Sequence, residues 1–148
     1  MTTARERLAE TVFDSLDAMN LAYAAEAVRS APRGLQRGLD YSPASVPALE
    51  RVLNGLCPAP QQDVDYLTRL WGSYFGEVLR RQFNAEWSMS VYPGSELAVP
   101  TLEVGGSRLY PMLKVYRRLT LGESEDMAAF YQLVARRLAA PAPAARLQ

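Results

Sequence analysis

Residues 67–92 read LTRLWGSYFGEVLRRQFNAEWSMSVY, and within them the hydrophobic period changes from 3.6 residues to 2. Leu67, Leu70, Trp71, Tyr74, Phe75, Val78 and Leu79 fall at i, i+3, i+4, i+7, i+8, i+11 and i+12. That is the broad apolar face of a central helix, which its flanks extend over residues 61–83. Trp87, Met89 and Val91 then alternate with Ser88, Ser90 and Tyr92, the pattern of a half-buried strand. Gly72 and Gly76 lie four apart inside the helix, where each costs about 1 kcal/mol against alanine. Their spacing predicts a face on which another backbone comes close.

Outward from this stretch, Pro93-Gly-Ser turns the chain, residues 99–104 form a second strand, and Gly105-Gly106 makes a tight hairpin into a third strand over 108–110. Pro111 opens a helix through Leu119 that Gly122 ends, with Leu113, Val115, Tyr116 and Leu119 as its apolar members. Ser124 is the expected cap of a last helix carrying Met127, Phe130, Tyr131, Val134 and Leu138. Toward the N-terminus, the capping box Thr3-Ala-Arg-Glu6 and apolar Leu8, Val12, Leu16, Met19 and Tyr23 predict one helix over residues 3–30. A basic loop with Arg29, Arg33 and Arg37 follows, read as a solvated helix end. Leu49, Val52, Leu53 and Leu56 then mark a short helix, whose start is ambiguous because Pro43 and Pro47 compete for its first turn. The class is α+β: N-terminal helices, a long central helix packed on a small three-stranded antiparallel meander, and two C-terminal helices. One domain is expected over residues 1–138, with a disordered Ala/Pro-rich tail over 139–148.

The sequence has no histidine, a single cysteine (Cys57) and a single lysine (Lys114). Histidine nucleophile activation, histidine general bases and histidine-ligated metals are therefore excluded. Sixteen basic residues balance sixteen acidic ones, which argues against a nucleic-acid binder. No apolar run approaches the roughly 18 residues of a membrane span, and the charged start lacks a signal-peptide core. A cytoplasmic protein with no membrane insertion is the expectation. Arginine in place of lysine is read as codon usage of a GC-rich bacterial genome rather than selection for forked anion contacts.

No phosphate loop, cysteine pair or calcium-type carboxylate spacing occurs, so no catalytic residue, cofactor or metal ligand is assigned. Asp63 and Asp65 are read as charges favourable to a helix N-terminus, and Cys57 as an inert apolar side chain. Two groups carry functional interest. Glu77 sits at the edge of the apolar helix face and needs a cation if buried; Lys114, or an arginine near 117–118, would supply it. The Glu77–Lys114 pair reads first as a structural ion pair and alternatively as a ligand or enzyme site. Trp87, Tyr92, Tyr110 and Tyr116 interleave with Arg108, Arg117 and Arg118. They read first as types that fill a core beneath a sheet, and alternatively as the residue types of binding hot spots.

Leu39-Asp-Tyr-Ser, Trp71-Gly-Ser-Tyr-Phe-Gly-Glu-Val-Leu-Arg-Arg, Glu86-Trp and Tyr110-Pro-Met-Leu-Lys-Val-Tyr-Arg-Arg-Leu resemble the segments of a family of small uncharacterised bacterial proteins, a domain of unknown function. The resemblance covers about residues 39–135. Glu77, Trp87 and Lys114 match recurrent positions of that family, while Pro47 departs from its smooth helix. It implies a compact bacterial domain and no particular activity. The expected function is a non-enzymatic protein–protein interaction module: an adaptor, an assembly component or an immunity-type protein with one protein partner. The alternative is a small-ligand binder or enzyme built on Glu77 and Lys114. A third expectation is self-association through the first helix.

Overall fold

A computed structural model describes residues 2–139. Its order is α1 (Ala4–Glu10), α2 (Leu16–Ser30), α3 (Arg33–Gln36), α4 (Val46–Leu56), α5 (Gln61–Phe83), β1 (Glu86–Val91), β2 (Ala98–Val104), β3 (Ser107–Leu109), α6 (Pro111–Leu121) and α7 (Met127–Ala139). The class is α+β, with the long α5 packed on a three-stranded antiparallel sheet of order β1-β2-β3 and two helices after it. The register sets Trp87 opposite Leu102 and Leu102 opposite Leu109. Asn84, at φ 54, ends α5 in the left-handed conformation of a helix cap.

The N-terminal helix expected over residues 3–30 is two helices. Thr3 and Glu6 close a capping box on α1, and the chain is extended at Thr11. Ser15 then accepts from the Ala18 N–H at 3.0 Å and opens α2. A second cap so soon after the first, preceded by β-branched Thr11 and Val12, outweighs the continuous apolar spacing. α1 buries no residue and is held at the start of α5 by Arg5, 2.9 Å from Asp63. The basic loop contains the single turn of α3. Both prolines near α4 find places that need no N–H: Pro43 opens a 3-10 turn and Pro47 lies in the first turn of α4. The last helix is capped by Asp126 rather than Ser124. Its carboxylate accepts from Ala128 at 3.2 Å and Ala129 at 3.4 Å, while Ser124 is taken up in a 3-10 turn. Ala139 belongs to α7, and the tail expected beyond it falls on residues 140–148, outside the described residues.

α5 is the spine of the core. It packs along α2 and α6, and residues Leu70–Leu79 are all buried. The two glycines are where neighbours come closest. A Cβ at Gly72 would lie 2.9 Å from Met112 Cα, so the first turn of α6 rests on this bare backbone. A Cβ at Gly76 would run into the indole of Trp87, so β1 is seated through the tryptophan ring.

Gly76 and Gly55, helical glycines in different surroundings, give a controlled comparison. Gly76→Ala is expected to lower stability by about 1–3 kcal/mol, the overpacking cost exceeding the gain in helix propensity. Gly55→Ala in α4, where nothing lies within 4 Å of the new Cβ, is expected to raise stability by up to about 1 kcal/mol. Urea unfolding followed by far-UV circular dichroism reads both; equal effects of one sign would contradict the packing.

Candidate functional site

Glu77 is 2% exposed, yet Lys114 is not its partner. Arg80 donates to its carboxylate through Nε at 2.8 Å and Nη2 at 2.9 Å, Arg81 through Nε at 3.3 Å, and the Trp87 indole N–H at 2.9 Å. The expected Glu77–Lys114 pair is thus replaced, because arginines three and four residues on along the same helix already reach the carboxylate. Burial pulls the Glu77 pKa up, but the hydrogen bonds from Arg80 and Trp87 and the two guanidinium charges outweigh it and hold the carboxyl below its ordinary value. Lys114 instead donates to Glu125 at 3.1 Å and lies over the Phe130 ring at 5.2 Å.

The Leu39–Ser42 segment joins the same end of α5. Tyr41, at φ 67, donates its backbone N–H to the Tyr74 hydroxyl at 3.0 Å, and Tyr74 donates to Ser45 Oγ at 2.8 Å. The two rings stack at 4.8 Å, with the Arg81 guanidinium 4.1 Å from the centre of the Tyr41 ring. Burial pushes the Tyr74 hydroxyl up, keeping it a neutral donor. This network is satisfied from within, and its work is to hold α5, the 39–45 turn and β1 together.

Two of the hot-spot candidates lie inside, as the core-filling reading expects. Trp87 is 8% exposed and spends its N–H on Glu77. Arg118 is fully buried; Nε donates to Glu50 and Nη2 to Asn54, each at 2.9 Å, and the other Glu50 oxygen accepts the Met127 N–H at 3.1 Å. Arg118 therefore ties α6 to α4 and to the start of α7.

The remaining residues converge. Tyr92, Arg108, Tyr110 and Arg117 line one open groove of about 740 Å³ between the β2–β3 hairpin, α6 and α7, and Lys114 is in its wall. Tyr92 and Tyr110 meet edge to face at 4.8 Å. Tyr116 is exposed on α6 but lies outside the groove lining. The far wall is α7, with Phe130, Leu133, Val134 and Arg137. By sequence Phe130 and Val134 belong to the core and Arg137 is a charge favourable to the helix C-terminus, while Leu133 has no assigned role. The one signal for them was the i, i+3, i+4, i+7 spacing from Phe130 to Arg137. The groove offers half-exposed rings and cations beside the apolar side chains of Leu109, Leu113, Phe130 and Leu133.

The Glu77 cluster makes stability pH-dependent with a definite sign. A carboxyl whose folded pKa is depressed contributes fully above its unfolded value, about 4.3, and the contribution is lost as pH falls through the folded value. Glu77→Gln is expected to cost about 2–4 kcal/mol at pH 7. The gap between wild type and variant should shrink as pH falls below about 4. Thermal melts at pH 7, 4 and 3 measure this; a gap constant across that range would contradict the depressed pKa.

Among the described residues no helix is long and apolar enough to cross a membrane, and no group of three or more acidic or cysteine side chains is placed to hold a metal ion. Comparison with family models, with curated proteins and with solved structures finds no match to this chain.

Proposed function

We propose that this chain is a non-enzymatic protein–protein interaction module of the bacterial cytoplasm, an adaptor, assembly component or immunity-type protein whose partner docks in the groove. The observation that carries this reading is the gathering of Tyr92, Tyr110, Arg108 and Arg117 from the hairpin and α6 onto one open surface. Tyrosine and arginine dominate binding hot spots because each combines a large contact area with directional hydrogen bonding. Leu133, 40% exposed at the groove wall, adds apolar area that water covers in the free protein. The absence of histidine supports the non-enzymatic side of the reading, since the ordinary general base near neutral pH is missing.

A second reading is kept because of the groove's size. Its volume of about 740 Å³ lies in the range typical of small-molecule sites, so a small anionic ligand held near Lys114 is the alternative. Glu77 plays no part in it, being held by Arg80, Arg81 and Trp87.

Photo-cross-linking in the native host separates the two. A photoreactive residue at Leu133 is expected to give a protein adduct of defined mass that Tyr110→Ala abolishes. The same residue at Leu21, exposed on α2, should give none. An adduct of small-molecule mass would favour the second reading, and identical adducts from both positions would contradict docking in the groove.

A further inference from the structure

The groove lining carries a surplus of cations. Basic and acidic residues balance at 16 each over the sequence, yet the groove is lined by Arg108, Lys114, Arg117 and Arg137 against the single acid Glu103. These cations differ in how far they are committed. Lys114 is held by Glu125 at 3.1 Å. Arg108 meets Glu103 at 3.6 Å, and Glu103 also accepts the Ser88 hydroxyl at 2.7 Å. Arg117 and Arg137 have no carboxylate within 4.0 Å among the described residues. The surplus is therefore local, and two of its members are open to a partner.

Apolar side chains sit beside each open cation. Leu113 and Arg117 are four apart on α6, and Leu133 and Arg137 are four apart on α7, so in each helix the pair shares one face. Arg108 adds a third cation from β3. A neutral or basic occupant would cover these guanidinium groups without pairing them, which is unfavourable. A bare phosphate chain would pair them but leave the apolar floor unused, since its affinity comes from charge spaced evenly along the backbone.

The geometry points to one occupant: an acidic segment of a protein partner, in which a large apolar side chain is flanked by carboxylates. The apolar side chain rests on Leu113, Phe130 and Leu133, while the carboxylates take forked hydrogen bonds from Arg117 and Arg137. This inference rests on the docking reading above and adds to it the partner's chemistry.

Selection of random 12-residue peptides displayed on phage against the full chain tests it, with binders then measured by fluorescence anisotropy. The expected winners are rich in Asp and Glu around Leu, Phe or Trp, and bind Arg117→Gln/Arg137→Gln at least tenfold more weakly. Both arginines are exposed, so a circular dichroism melt should show the double variant folded. Winners that are neutral or basic but still lose affinity with Tyr110→Ala would overturn the acidic partner while leaving the docking reading standing. Recovery of no peptide whose binding depends on Arg117, Arg137 or Tyr110 would overturn both. A 20-residue oligodeoxythymidine that binds through Arg117 and Arg137 as tightly as the best peptide would assign the groove to nucleic acid instead.

Discussion

A carboxylate held away from water is the constraint on which this structure turns. An unpaired buried charge costs several kcal/mol, so Glu77 can lie 2% exposed in α5 only because its oxygens are filled by Arg80, Arg81 and the Trp87 indole. The indole reaches that position across Gly76, where any side chain would block it. One hydrogen bond and one missing methyl thus fix β1 on α5. The antiparallel register carries that placement from Trp87 through Leu102 to Leu109, and two residues later Pro111 begins α6, whose first turn rests on Gly72. The hairpin wall of the groove is positioned from the interior outward.

The opposite wall is set by a second buried charge. Arg118, with no exposed surface, joins Glu50 and Asn54 of α4, and Glu50 in turn accepts the first N–H of α7. The two ion clusters differ in origin. Glu77 is satisfied mostly by residues of its own helix, whereas Arg118 draws on partners 64 and 68 residues away. The first therefore orders the centre locally, and the second holds elements distant in the chain in fixed relation. Between them they leave α6 and α7 presenting Arg117 and Arg137 outward, beside Phe130 and Leu133.

What could be read from the sequence follows the physics of each feature. The extent of α5 and the three strands were legible because apolar spacing and turn residues are local signals, and residues 67–92 change period within one stretch. The glycine pair was legible too, since an unfavourable residue repeated at helical spacing implies contact. The break at residues 11–15 was not, because the apolar stripe runs on through it while the Ser15 cap decides the outcome. Nor was the cap of α7: Ser124 and Asp126 are both good caps, and only the intervening 3-10 turn selects Asp126. In the candidate site, tyrosine and arginine mark hot spots and cores alike. Tyr92, Tyr110, Arg108 and Arg117 reached one groove, while Trp87 and Arg118 went inside, where Glu77 and Glu50 await them. For Arg118 that division depends on partners 64 and 68 residues away, which no one-dimensional pattern records; for Trp87 it depends on the Glu77 carboxylate across the α5–β1 junction.

Glu77 and Trp87 act as one unit joining the sheet to α5. A double-mutant cycle with Glu77→Gln and Trp87→Phe, measured by urea unfolding at pH 7, tests it directly, since phenylalanine keeps the aromatic contact and removes only the N–H. A coupling of at least about 1 kcal/mol between the two changes is expected. Effects that add to within about 0.3 kcal/mol would contradict it.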